Sequence, residues 1–73
     1  MSLNSTEAER LIEQWRDQIV PRSFNAGFVT LSYVVSLIGA ASTLELINRR
    51  TAPKGKINQY VTYLRREQRR DQC

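Results

Sequence analysis

The chain has 73 residues, a net charge of +4, one cysteine and no histidine. That length is marginal for a soluble domain without staples. A lone Cys73 excludes an internal disulfide, and the lack of histidine excludes His-ligated metal sites and His general bases.

The charge is uneven. Residues 1–22 carry four acidic and three basic side chains, residues 23–44 carry none, and residues 45–73 carry three acidic and eight basic ones. Apolar middle and charged ends make a membrane pattern rather than a globular one. The fold class expected from it is all-α: a single transmembrane helix, preceded by a short amphipathic helix and followed by a basic, partly helical tail.

Residues 5–20 predict the amphipathic helix. Thr6 with Glu9 fits a capping box. Ala8, Leu11, Ile12, Trp15 and Ile19 recur at helical spacing and form one apolar stripe, while Glu7, Glu13, Gln14 and Asp17 take other faces. Pro21 cannot continue the hydrogen-bond ladder, so the helix should stop near Val20. Such a helix either rests on a partner or lies in the lipid headgroup layer with Trp15 as its anchor.

The uncharged run from Ser23 to Leu44 has 22 residues. As a helix it is roughly 33 Å long, enough for a hydrocarbon core of about 30 Å. A signal peptide is a poor match, because the run follows an acidic segment and exceeds an ordinary apolar region of that kind. A buried soluble helix is also a poor match, since nothing else in the chain promises to cover it. The expected segments are therefore an extracytoplasmic 1–22, a transmembrane helix over 23–47 and a cytoplasmic tail over 48–73. Glu45, near the end of the span, can pair with Arg49 four residues on.

Small residues mark the span. Ser32, Ser36 and Ala40 repeat every four residues, and Gly39 with Thr43 makes a second such pair. At this spacing another transmembrane helix can approach closely and share hydrogen bonds. Phe28, Leu31, Val35 and Leu46 are then left to face lipid.

Residues 51–58 form a loop marked by Pro53 and Gly55. Ile57, Tyr60, Val61 and Leu64 stand at helical spacing and predict a last amphipathic helix over 57–70. Its other faces hold Arg65, Arg66, Arg69 and Arg70, a cluster suited to anionic lipid. Arg49, Arg50, Lys54 and Lys56 set the topology: the C-terminus is cytoplasmic and the N-terminus outside or lumenal. Asn4-Ser5-Thr6 is then a glycosylation sequon on the correct side. Which membrane is used is not written in these residues.

The chain contains no phosphate loop, no CxxC pair and no His-containing nucleophile arrangement. No enzyme activity and no cofactor are expected, and no nucleic acid either, because Tyr60 and Tyr63 fall on or beside the apolar face. A soluble basic nucleic-acid-binding protein is the most distant alternative. A small accessory or regulatory subunit of a membrane complex is the nearer one.

Residues 19–58, IVPRSFNAGFVTLSYVVSLIGAASTLELINRRTAPKGKIN, resemble the first span of fungal MHYT-domain membrane proteins. The likeness rests on the entry Pro21 to Asn25, the core Leu31 to Ser36, and the exit Leu44 to Leu46 with Arg49 and Arg50. It implies a multi-span sensor of oxygen or another diatomic gas, holding a metal such as copper on Met, His and Tyr residues. Here Met1 is the only methionine and histidine is absent, so no metal ligand carries over. After Asn58 the family enters a second span, whereas this chain turns to the polar QYVTYLRREQRRDQC. The resemblance therefore implies a fragment of such a protein with a foreign end.

Overall fold

The computed structural model describes residues 5–51 and 54–72. They form helices α1 (Ser5–Gln14), α2 (Phe24–Ile38), α3 (Ala40–Arg50) and α4 (Lys56–Gln72), and a π-helical turn, Trp15–Ile19, prolongs α1. Among the described residues the fold is all-α. Asn4, Ala52, Pro53 and Cys73 lie outside them.

α1 already includes Ser5 and Thr6, so Thr6 lies inside the helix and not at its cap. Glu9, its expected capping partner, turns instead to Arg50 of α3, at 3.0 Å. The π turn is closed by the Val20 N–H donating to the Trp15 carbonyl at 2.9 Å. This wider turn carries the buried stripe from Ala8, Ile12 and Trp15 on to Val20, and Ile19 is left half-buried. The helix ends before Pro21 as expected. Ser23 then caps α2, its Oγ accepting from the Ala26 N–H at 3.2 Å.

The expected continuous helix over 23–47 is broken. α2 ends at Ile38, α3 starts at Ala40, and the two axes differ by 120°. The break sits on Gly39, with φ 89° and ψ 160°, a region that essentially only glycine enters. No single described helix is long and apolar enough to cross a membrane, though the bent pair has the combined length and composition.

The run is also covered, contrary to expectation. α1 lies across α2 and α3, and α4 packs chiefly on α3. The stripes of α1 and α4 together suffice to cover one face of α2. Ile12, Trp15, Leu31, Val34, Ile47, Tyr60 and Leu64 are all fully buried there. Leu31 and Leu46, expected to face lipid, are in this core, and Phe28 and Val35 pack against it. Trp15, expected as a headgroup anchor, is at its centre.

Candidate membrane-contact surface

Gly27 is where three elements meet. Trp15 Nε1 donates to the Gly27 carbonyl at 3.0 Å, and Tyr60 Oη donates to the Phe24 carbonyl at 2.7 Å. Tyr60 lies directly over Gly27, so that a Cβ there would stand 2.1 Å from the Tyr60 hydroxyl oxygen. Trp15 meets the Tyr60 ring edge-on at 5.1 Å, and Phe24 and Phe28 stand 4.9 and 4.6 Å from it. Burial pushes the Tyr60 hydroxyl above its ordinary pKa.

The opposite face of α2 is different. Val29, Tyr33 and Leu37 recur every four residues and are 71%, 57% and 40% exposed. They form one apolar stripe on the outside of a helix that buries Gly27, Leu31 and Val34 on the inside. Beside it, Phe28 and Tyr63 floor an open groove of about 360 Å³ rimmed by Gln59, Thr62 and Arg66.

The small residues singled out in the sequence do not share one face. Ser32 and Ser36 are exposed. Ser32 Oγ and Tyr63 Oη share a 2.9 Å hydrogen bond, and Ser36 Oγ donates to the Tyr33 carbonyl at 2.6 Å. Ala40 and Thr43 lie beyond the break and are buried, with Thr43 Oγ1 donating to the Gly39 carbonyl at 2.7 Å. The four-residue repeat assumed a straight helix, and Gly39 ends it. Asn4 lies outside the described residues.

The basic residues also divide. Arg49 pairs with Glu45 at 3.6 Å, as its spacing predicts. Arg50 joins α3 to α1 by ion pairs with both Glu9 and Glu13. Arg16 donates to the Arg50 carbonyl at 2.9 Å and so caps the end of α3. Asp17 holds that guanidinium through two hydrogen bonds, at 2.7 and 3.1 Å, and its own carboxyl is drawn below the ordinary range by them. Sequence reasoning missed this bracket, because no periodic signal links Arg16 to a residue 34 positions away. Lys54 and Lys56 are exposed, as are Arg65, Arg66, Arg69 and Arg70, of which Arg70 meets Glu67 at 3.2 Å. Among the described residues, no three Asp, Glu, His or Cys side chains stand close enough to share a metal ion.

The arrangement defines a class: a small helical fold with a bent apolar pair and an outward apolar stripe. Comparison of the chain with family models, with curated proteins and with solved structures found no match to any of them.

Proposed function

We propose that this chain is a non-enzymatic membrane protein whose uncharged segment, residues 23–44, resides in a bilayer. Its N-terminal side is outside or lumenal and its basic C-terminal side is cytoplasmic. One observation carries the reading. Even in the folded chain, α2 keeps Val29, Tyr33 and Leu37 turned outward as a continuous apolar stripe, and such stripes mark contact with a membrane or a partner. The length and composition of the α2–α3 pair support it. So does the excess of Lys and Arg after the segment, and so does the resemblance of residues 19–58 to a first span.

A second reading uses the same stripe. The chain is a small accessory subunit, and Val29, Tyr33 and Leu37 seat on an apolar transmembrane helix of a larger complex. The exposed Ser32 and Ser36 beside the stripe favour close helix approach there.

Carbonate extraction of membranes from expressing cells tests the first reading. The chain is expected to stay in the pellet, and its release into the supernatant would overturn the bilayer assignment. Val29→Ser with Leu37→Ser, which leaves the core untouched, is expected to lower partitioning into protein-free vesicles at least about tenfold. Unchanged vesicle partitioning with loss of cross-linking to a cellular protein selects the accessory-subunit reading.

A further inference from the structure

We infer that the α2–α3 pair is a membrane span stored in folded form, with Gly39 as its hinge and bilayer hydrocarbon as the partner that opens it. This inference rests on the membrane reading above and adds to it a route from the compact chain to the inserted one.

At Gly39 itself the break is held by backbone conformation, while further along α3 is tied back to α1 by Arg50 with Glu9 and Glu13 and by Arg16 on the Arg50 carbonyl. Gly39 has φ 89°, and a Cβ built on it meets nothing within 4 Å. No neighbouring side chain wedges the two helices apart at this residue. Helical hydrogen bonds already reach the glycine from both sides. Its N–H donates to the Val35 carbonyl at 2.8 Å, and its carbonyl accepts from the Thr43 N–H at 3.1 Å. Straightening therefore has only to pair the amides of Ala40, Ala41 and Ser42 with the carbonyls of Ser36, Leu37 and Ile38. In water, exposed groups of this kind, such as those of Ala41 and Ser42, are hydrated at little cost. In hydrocarbon they have no solvent partner, so the bilayer favours the straight helix and water tolerates the bent one.

The hydrogen bonds that Trp15 and Tyr60 make to α2 are also cheap to release into a membrane. Trp15 and Tyr60 donate to the carbonyls of Gly27 and Phe24, which an α-helix pairs with the amides four residues on. Their release leaves no orphan carbonyl in α2. Leu31 and Val34 exchange a protein core for lipid tails of similar polarity. The freed stripes of α1 and α4 become amphipathic surfaces suited to the headgroup layer, where the Trp15 and Tyr60 donors find water.

Two substitutions at one atom test the hinge in opposite directions. Gly39→Ala disfavours φ 89° and favours the straight helix. D-alanine in place of Gly39, introduced by chemical synthesis of the full chain, favours positive φ and opposes the right-handed helix. Both add the same methyl group, so hydropathy is constant. Trp15, the sole tryptophan, leaves its contact with Tyr60 on opening, and its emission reports the event on mixing with phosphatidylcholine–phosphatidylglycerol vesicles.

Insertion of Gly39→Ala is expected to be about tenfold faster than that of the natural chain, and insertion of the D-alanine chain about tenfold slower. Equal rates for all three chains would overturn the hinge while leaving vesicle binding, and hence the membrane reading, standing. No uptake by any of the three overturns the membrane reading and the hinge with it. If Gly39→Ala does not fold in buffer, the D-alanine chain decides: slowed insertion supports the hinge, and an unchanged rate defeats it.

Discussion

The two faces of α2 are made of similar residues and live in opposite surroundings. Leu31 and Val34 on the inside are fully buried, while Val29 and Leu37 on the outside are 71% and 40% exposed. Hydrophobicity does not separate the two sets. What separates them is Gly27. Only a residue without a side chain lets the Tyr60 ring lie against the backbone, and that approach turns one face of α2 toward α1 and α4. A helix apolar all round has no amphipathic preference of its own, so the covering helices choose its inner face.

The comparison breaks most visibly with paired truncations. Leu31→Ala should destabilise the bundle by about 2–5 kcal/mol, whereas Leu37→Ala should stay within about 0.5 kcal/mol. Urea unfolding in buffer measures both, and equal losses would mean that the outer stripe is buried in solution. Gly27→Ala comes next. The added methyl drives Tyr60 from its seat, and overpacking of this kind costs about 1–3 kcal/mol. The Trp15 emission of this variant should shift toward that of an exposed indole.

Tyr60→Phe is the mildest of the changes that touch the core. It keeps the ring against Gly27 and removes only the hydrogen bond to the Phe24 carbonyl, a loss of about 1 kcal/mol. It also has a signature in pH. Burial raises the folded-state pKa of the Tyr60 hydroxyl above its ordinary value. Its contribution is therefore complete below the unfolded pKa, about 10, and is lost as pH rises through the folded one. Alkaline unfolding of the natural chain should be blunted in Tyr60→Phe, and identical alkaline midpoints would show that the hydroxyl is hydrated in the folded chain.

Much of the fold was legible locally. Ile57, Tyr60, Val61 and Leu64 marked α4, and Tyr60, Val61 and Leu64 are buried as their spacing required. Pro21 marked the end of the first helical segment. The Gly39 break was not legible. A glycine is tolerated within a helical pattern, and neither charge nor length records the sign of φ. The coverage of α2 was missed for a related reason. Each amphipathic stripe is visible by itself, but its partner is set by a long-range contact such as Trp15 with Gly27 or Tyr60 with Phe24. Arg50 was read as a topology signal because its ties to Glu9 and Glu13 depend on that same folding back. The candidate surface emerged only by subtraction: Val29, Tyr33 and Leu37 are what α1 and α4 leave uncovered.

The seating of Tyr60 over Gly27 also sets an order of events during synthesis. The two residues are 33 positions apart, so at about 5–20 residues per second α2 waits roughly two to seven seconds for its lid. During that interval α2 lacks Tyr60, although Trp15, made before it, is already present to reach its Gly27 carbonyl. Once α4 is complete, the Tyr60 ring can be seated over Gly27 and the bundle closed. Slower translation of residues 45–60 therefore lengthens the time that α2 spends without its lid.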